Sequence, residues 1–332
     1  NGAVYVFGLD EGQAFPRTYP STWVGMPPQR SIDIDTEDDW HMAEALLAAR
    51  PVAPFSIAGR EIGPGHPCFI IAEAGINHGG DLGAALRLIT AAAEAGADAV
   101  KFQTFDAERL AEPGPHREML LPLELNRQAH ADLEVYARSH GIMFLTSVFD
   151  EASVDLAAEF VPAFKIPSGE IINLPLLRHV ASKGKPVILS TGMSTMREVA
   201  AAVDALEGVP LALLHCVSEY PQHPDDSNIR AMDTLRQAFG VPVGWSDHTT
   251  STVSSQAAVA RGACIVERHI MLPESGGVDW NVSLQPGAFD SFVKNTRRME
   301  ATLGTGEKVP TPGELETAKV ARRRDGLRRN AS

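Results

Sequence analysis

Eight short apolar runs, rich in β-branched residues, alternate with helix-like stretches between residues 68 and 270. The runs are CFIIAEAGI, AVKFQTF, IMFLTSVF, AFKIPSG, PVILSTG, LALLHCV, VPVGWSDH and CIVERHI. Strands that are apolar throughout, with no two-residue hairpin turns between them, are typical of a parallel sheet covered by helices. Eight such units predict an α/β fold of the (β/α)8 TIM-barrel type. An open doubly wound sheet is the alternative, but its GxGxxG first turn is missing from AGINHGGDLG.

The overall charge limits the partners that such a chain can bind. Its 332 residues include 29 Lys plus Arg against 42 Asp plus Glu, a formal net charge of −13. Nucleic acids and anionic membranes are bound by basic surfaces, so we expect neither partner. No apolar run approaches the roughly 18 residues of a membrane span. The scattered cysteines Cys68, Cys216 and Cys264 form no CxxC motif, which favours reduced thiols and a cytoplasmic protein.

Polar side chains gather at the carboxyl end of nearly every predicted strand. In a barrel of this type the carboxyl ends of the strands carry the active site. Unpaired polar groups are costly inside a core, so a catalytic rim explains this distribution best. The residues concerned are Glu73, Asn77, His78, Lys101, Gln103, Thr104, Thr146, Ser147, Lys165, Ser168, Glu170, Ser190, Thr191, His215, Ser218, Ser246, Asp247, His248, Glu267, Arg268 and His269.

Two histidines on the last two predicted strands are candidate metal ligands. The period of two along a strand places Ser246 with His248 on one face, and Glu267 with His269 on one face. Because neighbouring strands lie about 4.8 Å apart, the two imidazoles can converge on Mn²⁺, Fe²⁺, Co²⁺ or Zn²⁺. Asp247 or Glu267 could add a ligand or orient an imidazole. The alternative is that each histidine only bonds a neighbouring carboxylate.

Two lysines embedded in apolar runs are candidates for binding an anion. Lys101 and Lys165 occupy similar heights on the second and fourth predicted strands, and hydroxyl or amide side chains follow each of them. Such a set suits a small dianion or trianion, since an ammonium group acts as a point charge towards phosphate. The alternative is that one lysine forms a Schiff base with a keto acid.

Seven motifs in succession carry a family resemblance: FIIAEAGINHGG, AVKFQTF, FKIPSGE, ILSTGM, LLHCVSEYP, WSDHT and VERHI. From about Cys68 to Gly304 the chain closely resembles the sialic acid (N-acetylneuraminate) synthase family, which includes legionaminate, pseudaminate and spore-coat polysaccharide synthases. This resemblance implies a carbon–carbon bond-forming transferase on a TIM barrel. Its reaction would be the metal-dependent condensation of phosphoenolpyruvate with an N-acylated hexosamine of the N-acetylmannosamine type. The products would be a nonulosonic acid and phosphate.

The resemblance also implies roles for individual residues. It implies that Glu73, Lys101 and Lys165 are catalytic. It also implies that His248 and His269 bind a divalent metal ion, which would be Mn²⁺, with Mg²⁺ or Co²⁺ as alternatives. The residues around phosphoenolpyruvate would be Lys101, Ser147, Lys165, Ser168, Ser190, Ser218 and Ser246. The residues lining the sugar would be Gln103, Glu170, Tyr220 and Asp279.

The sequence predicts three regions. Residues 1–55 resemble the C-terminal end of acylneuraminate cytidylyltransferase, where Asp33 and Asp35 would match metal-binding acids, and an inert docked segment is the favoured interpretation. Residues 56–305 are predicted to form the barrel, and residues 306–332 a basic tail in place of the family's antifreeze-like domain. Since that domain builds much of the family's dimer, a homodimer is only one possible state. A Schiff-base aldolase using Lys165 and a truncated, non-catalytic barrel are the alternative functions.

Overall fold

The architecture is a closed barrel of eight parallel strands surrounded by helices. The computed structural model describes residues 52–274 and 279–322, so the predictions for Asp33 and Asp35 lie outside the described residues. Around the barrel the strands follow chain order, and the last strand pairs with the first. The predicted fold class is thereby confirmed.

The eight predicted apolar runs all form barrel strands. A short antiparallel hairpin precedes them, with strands β1 (Phe55–Ile57) and β2 (Arg60–Ile62). The barrel strands are β3 (Phe69–Gly75), β4 (Ala99–Thr104), β5 (Met143–Val148), β6 (Phe164–Ile166), β7 (Val187–Ser190), β8 (Leu211–Cys216), β9 (Val243–Asp247) and β10 (Ile265–His269).

Helices connect the strands and cover the outside of the barrel. They are α1 (Leu82–Glu94), α2 (Ala107–Leu110), α3 (Pro115–Leu120), α4 (Arg127–Ser139), α5 (Glu151–Ala157), α6 (Leu174–Ser182), α7 (Met196–Ala205), α8 (Ala231–Phe239), α9 (Val253–Ala260), α10 (Pro286–Leu303) and α11 (Pro312–Ala321). Side-chain caps set several starts: Asn126 begins α4, and Thr195 with Glu198 forms a capping box on α7. None of the helices in the described ranges is long and apolar enough to cross a membrane.

The barrel interior changes from apolar to polar along the strands. Towards the amino-terminal ends of the strands, the interior is an apolar cluster that includes Ile71, Ala99, Leu145 and Ile188. Two residues further along each of these strands, on the same face, the side chain is polar. These polar residues are Glu73, Lys101, Ser147 and Ser190. One face of each strand therefore provides both the core and the floor of a polar cavity.

The β1–β2 hairpin closes the amino-terminal end of the barrel. Ile57 and Ile62 are fully buried and belong to the same apolar cluster as Phe69 and Ile265 at the start of their strands. The hairpin therefore keeps water from the apolar cluster at the amino-terminal ends of the strands, and the carboxyl-terminal end of the barrel stays open.

A buried ion pair fastens the last two strands to the helical layer. Arg268 and Asp247 are register partners on β10 and β9, both fully buried, with 2.5 Å between Nη1 and Oδ2. Asp247 also accepts hydrogen bonds from Ser254 and Ser255 of α9. Burial opposes ionisation, but Arg268 and these hydrogen bonds lower the pKa of Asp247 below its usual range.

Candidate active site

Twelve of the 21 strand-end residues predicted for the rim enclose one cavity of about 400 Å³. Residues from all eight barrel strands or the loops that follow them line it. Thirteen of them were predicted site residues: Glu73, Lys101, Gln103, Ser147, Lys165, Ser168, Ser190, Ser218, Tyr220, Ser246, His248, His269 and Asp279.

Lys101 lies at one side of the cavity, nearly fully buried. Its Nζ is 2.6 Å from Glu73 Oε2, donates to Ser147 Oγ at 2.8 Å and lies 3.6 Å from Glu267 Oε2. Burial opposes the ammonium charge, but Glu267 and Glu73 outweigh it and raise the pKa of Lys101. Lys101 is therefore a fixed positive charge.

Lys165 provides the second buried ammonium group. Its Nζ donates to Ser190 Oγ at 2.8 Å and to the carbonyl of Ile166 at 3.2 Å. It lies 3.8 Å from Glu267 Oε1, which also accepts from Ser246 Oγ at 3.0 Å. Burial lowers the pKa of Lys165 below the ordinary lysine value, and Glu267 opposes this shift.

Glu267 stands between the two lysines and organises them. Burial would raise its pKa, but Lys101 and Lys165 outweigh burial and hold the pKa of Glu267 well below the ordinary range. Its carboxylate is therefore ionised and keeps the two ammonium groups near each other. Its position at a strand end predicted a rim residue that could add a metal ligand or orient an imidazole. Its contact with lysines from β4 and β6 depends on barrel closure, which no local sequence signal reports.

A glycine lets the backbone approach the serines of the cavity. Gly192 N donates to Ser168 Oγ at 3.0 Å, and Ser168 Oγ lies 3.2 Å from Cys216 Sγ. A Cβ built at Gly192 would lie 2.3 Å from Ser218 Oγ and 2.8 Å from Ser168 Oγ. Glycine at this position therefore lets the backbone come close to the hydroxyl groups of Ser168 and Ser218, which line the cavity.

The two predicted metal-binding histidines meet in the same cavity. The ring centroids of His248 and His269 are 5.6 Å apart, and Tyr220 packs on His248 with its centroid 4.1 Å away. His248 Nδ1 donates to the carbonyl of Val217 at 2.7 Å, which leaves Nε2 without a proton. Burial lowers the pKa of both imidazoles, and of His269 the more strongly.

These histidines fit a divalent metal ion. Ligation needs neutral imidazole, and a ligating ring is held by a hydrogen bond through its other nitrogen, as His248 is by Val217. His269 Nδ1 is buried and has no hydrogen-bond partner among the residues of 52–274 and 279–322. Within those ranges no three His, Cys, Asp or Glu side chains form a metal cluster. Water or substrate oxygens would therefore complete the coordination.

Asp247, one of the candidate further ligands, is directed to the helical layer instead. Its carboxylate is occupied by Arg268, Thr249 and two serines of α9, and it does not line the cavity. Glu267, the other candidate, does line the cavity. Alternation along β9 explains this, since Ser246 and His248 point inward and the residue between them points outward.

A third group of side chains meets beside the backbone of Gly75. A Cβ at Gly75 would lie 3.2 Å from Glu73 Oε1, 3.4 Å from Gln103 Nε2 and 3.7 Å from Asp279 Oδ2. Gly75 has φ +52°, a conformation that favours glycine. Burial raises the pKa of Glu73 to about 7 against the opposing charge of Lys101. Glu73 can therefore hold or release a proton near neutral pH.

Glu170 is the one residue with an implied substrate-binding role that does not line the cavity. Eight other strand-end residues predicted for the rim do not line it either: Asn77, His78, Thr104, Thr146, Thr191, His215, Asp247 and Arg268. Glu170 lies in the 3₁₀ turn Ser168–Glu170, and its Oε2 accepts from Asn173 Nδ2 at 2.8 Å. Conversely, Phe149, Met193 and Cys216 line the cavity and were not among the predicted site residues. Met193 has φ +59° and is exposed at the rim, a combination that sequence periodicity does not reveal.

Comparisons with known proteins agree with this arrangement. Residues 88–308 match the sequence profile of the NeuB family. The N,N'-diacetyllegionaminic acid synthase of Legionella pneumophila is 43% identical over 287 residues, which cover 79% of this chain and 81% of the relative. The human N-acetylneuraminate-9-phosphate synthase is 39% identical, and the alignment covers 77% of each chain.

A solved structure agrees as well. The N-acetylneuraminic acid (sialic acid) synthetase from Leptospira borgpetersenii, crystallised with citrate, superposes with a TM-score of 0.76 at 36% identity. That alignment covers 82% of this chain and 99% of the other. The family match covers well over half of this chain, and the residues that carried the sequence resemblance surround its cavity. The chain belongs to the NeuB family and is, as the motifs predicted, an enzyme of its carbon–carbon bond-forming type.

Proposed function

We propose that this enzyme condenses phosphoenolpyruvate with an N-acylated hexosamine of the N-acetylmannosamine type, giving a nonulosonic acid and phosphate with the help of a divalent metal ion. One observation carries the proposal: a single cavity holds two buried ammonium groups on one side and two neutral imidazoles on the other. The names of the relatives, which are synthases of legionaminic and neuraminic acids, point to the same substrate class.

The lysine side of the cavity suits phosphoenolpyruvate, which carries a carboxylate and a phosphate. Lys101 and Lys165 would bind these anions as point charges, with the hydroxyls of Ser147 and Ser190 already placed on them. Ser168, Ser218 and Ser246 would add further donors from neighbouring strands. Glu267 would hold the two ammonium groups in position before the substrate arrives.

The histidine side suits the acceptor sugar in its open-chain form. His248 and His269 would hold Mn²⁺, with Mg²⁺ or Co²⁺ as alternatives. When bound there, the metal would polarise the aldehyde of the sugar as a Lewis acid. Gln103 and Asp279 lie beside Glu73 and would bind the polar groups of the sugar, while Tyr220 packs at the cavity mouth.

In this mechanism, C3 of phosphoenolpyruvate attacks the aldehyde carbon and the new carbon–carbon bond forms. The π electrons of the aldehyde pass to its oxygen, which takes a proton from water and becomes a hydroxyl group of the product. Positive charge develops at C2, next to the phosphate-bearing oxygen, and water adds to C2. Glu73 would take the proton that this water loses, because its pKa lies near 7 and its carboxylate is 2.6 Å from Lys101 Nζ, beside the proposed phosphoenolpyruvate site. The tetrahedral adduct then collapses to the ketone and expels phosphate with cleavage of the C2–O bond.

The test is phosphate release from phosphoenolpyruvate with a panel of acceptors in the presence of Mn²⁺. The panel contains N-acetylmannosamine and a diacetamido-trideoxyhexose, with glucose as the control sugar. We expect phosphate and a nonulosonic acid in equal amounts with one N-acyl sugar, and none after treatment with EDTA. Phosphate release that does not need an acceptor, or no turnover with any acceptor, would overturn the proposal.

A Schiff-base aldolase is the second candidate, since burial lowers the pKa of the Lys165 ammonium and so favours a nucleophilic amine. Incubation with pyruvate and borohydride separates the two functions. An aldolase would gain the mass of a reduced pyruvate adduct at Lys165. The synthase would gain no mass and would depend on the metal.

A further inference from the structure

We propose that Asn77, in the loop after β3, is a positioning residue for the sugar-binding side of the cavity. Its amide ties the segment 279–284 to the end of β10 and thereby fixes Asp279 beside the reacting groups. This inference rests on the proposed function, in which Asp279 contacts the acceptor sugar. Asn77 was a polar strand-end residue in the sequence, and none of the roles proposed above uses it.

The Asn77 amide joins parts of the chain that are distant in sequence. Asn77 is 2% exposed, and its Nδ2 donates to the carbonyl of Ile270 at 2.9 Å and to Ser283 Oγ at 3.0 Å. Ser283 Oγ in turn donates to the carbonyl of Asp279 at 2.7 Å. One side chain is thus connected through a single hydroxyl to the backbone of Asp279.

The main chain around this junction is also paired. Ile270 N donates to the carbonyl of Glu73 at 2.8 Å. Leu284 N donates to the carbonyl of His269 at 2.9 Å, and Ile270 and Leu284 form a parallel bridge. The Asn77 amide therefore lies where the end of β3, the end of β10 and the segment 279–284 meet.

Three site residues depend on this junction. Glu73 precedes Asn77 by four residues, His269 precedes the carbonyl that Asn77 binds, and Asp279 is held through Ser283. Asp279 Oδ2 lies 3.6 Å from His269 Nδ1 and faces the space beside Gly75 that it shares with Gln103. A shift of the segment would move the Asp279 carboxylate first, because Glu73 and His269 belong to barrel strands.

The hydrogen bonds of Asn77 indicate that it holds two segments together, and packing alone does not explain an asparagine at this position. Both of its observed bonds use the amide nitrogen, while Oδ1 is buried without a partner among the described residues. An unpaired buried oxygen costs about 1–3 kcal/mol, so an apolar residue would pack there at lower cost. The two donated bonds are what distinguishes asparagine from such a residue.

The experiment compares Michaelis constants for the two substrates. Asn77→Asp keeps the size of the side chain but replaces the donating nitrogen with an oxygen that faces the Ile270 carbonyl. Ser283→Ala removes the second link, and Ser283→Thr restores its hydroxyl. Asn126→Asp is the matched control, because Asn126 caps α4 through Oδ1 and aspartate caps a helix equally well.

We expect Asn77→Asp and Ser283→Ala each to raise KM for the sugar about tenfold and to leave KM for phosphoenolpyruvate within about twofold. Ser283→Thr and Asn126→Asp should behave as the unmodified enzyme. The double variant should be no worse than about the poorer single variant, because both changes break one chain of bonds. A merely structural role would lower Tm and kcat without this split between substrates.

Equal changes in both Michaelis constants, or multiplied effects in the double variant, would overturn the role of Asn77. If the unmodified enzyme and Asn126→Asp release phosphate while Asn77→Asp keeps its KM for the sugar, this inference alone fails. If the unmodified enzyme releases no phosphate with any acceptor, the proposed function itself fails.

Discussion

Strands β9 and β10 carry two sets of buried polar residues, and the two sets differ in whether both oxygens of their carboxylate have hydrogen-bond partners. In the outward pair, each carboxylate oxygen of Asp247 accepts hydrogen bonds, and Arg268 donates through Nη1 and Nη2, while its Nε has no partner among the described residues. In the inward set, Glu267 Oε2 and His269 Nδ1 have no hydrogen-bond partner in the described part of the chain. A buried carboxylate whose two oxygens are both paired serves the fold, whereas unpaired polar atoms that face a cavity indicate a place for a ligand.

The largest expected effect is a loss of folding stability when the outward ion pair of Asp247 and Arg268 is broken. Asp247→Asn should lower the free energy of unfolding by about 3–5 kcal/mol, because it leaves the Arg268 guanidinium buried without its counter-charge. Urea denaturation measures this change. Asp290→Asn is the control, since its ion pair with Lys294 is exposed and should cost less than about 1 kcal/mol. A cost equal to that of the control would show that the outward pair is not structural.

The inward set should show the opposite pattern. Lys165→Met removes one ammonium group from the proposed anion site and should lower kcat/KM for phosphoenolpyruvate by roughly 10²–10³-fold. The free energy of unfolding should fall little, because a desolvated charge is replaced by an apolar chain.

Lys185→Met is the matched control for that change. Lys185 Nζ donates to the carbonyls of Ala158 and Val161 and does not line the cavity. Its loss should reduce stability and leave the kinetics with phosphoenolpyruvate unchanged. If both Lys165→Met and Lys185→Met lose stability and keep activity, the assignment of Lys165 to ligand binding is wrong.

A smaller effect sharpens the role of Glu267. Ser246→Ala removes one hydrogen bond to the Glu267 carboxylate, worth about 1 kcal/mol, so kcat/KM should fall about fivefold. Steady-state kinetics measure this, and Ser255→Ala is the outward counterpart, because Ser255 bonds Asp247. Ser255→Ala should change stability and leave kcat/KM as it is. If Ser246→Ala changed only stability and Ser255→Ala lowered kcat/KM, the assignment of ligand binding to the inward face and of stability to the outward face would be wrong.

Much of this division could be predicted from the sequence. Alternation along a strand already placed Ser246 with His248 and Glu267 with His269, and the apolar runs predicted all eight barrel strands. The pairing of Asp247 with Arg268 could not be predicted, since it depends on the register between β9 and β10. The position of Glu267 between lysines of β4 and β6 likewise depends on closure of the barrel.

Short and local features were also beyond the sequence signals. The β1–β2 hairpin has strands of three residues each, too short for periodicity to detect, although it seals the barrel. Glu170 follows a strand end like the other candidates, but a 3₁₀ turn and a bond to Asn173 set its direction. Strand-end position alone therefore does not predict whether a side chain lines the cavity: Thr104 and Asp247 also stand at strand ends, and they bond His130 and Arg268 instead.

Mn²⁺ binding tests the central claim, that alternate residues of the last two strands separate ligand binding from folding. Equilibrium dialysis and thermal unfolding would be measured on the same preparations of the unmodified enzyme and of His269→Ala. We expect about one Mn²⁺ per chain in the unmodified enzyme, and for His269→Ala at least tenfold weaker binding with Tm within a few degrees. Binding as tight as in the unmodified enzyme, or loss of binding only through unfolding, would contradict the account.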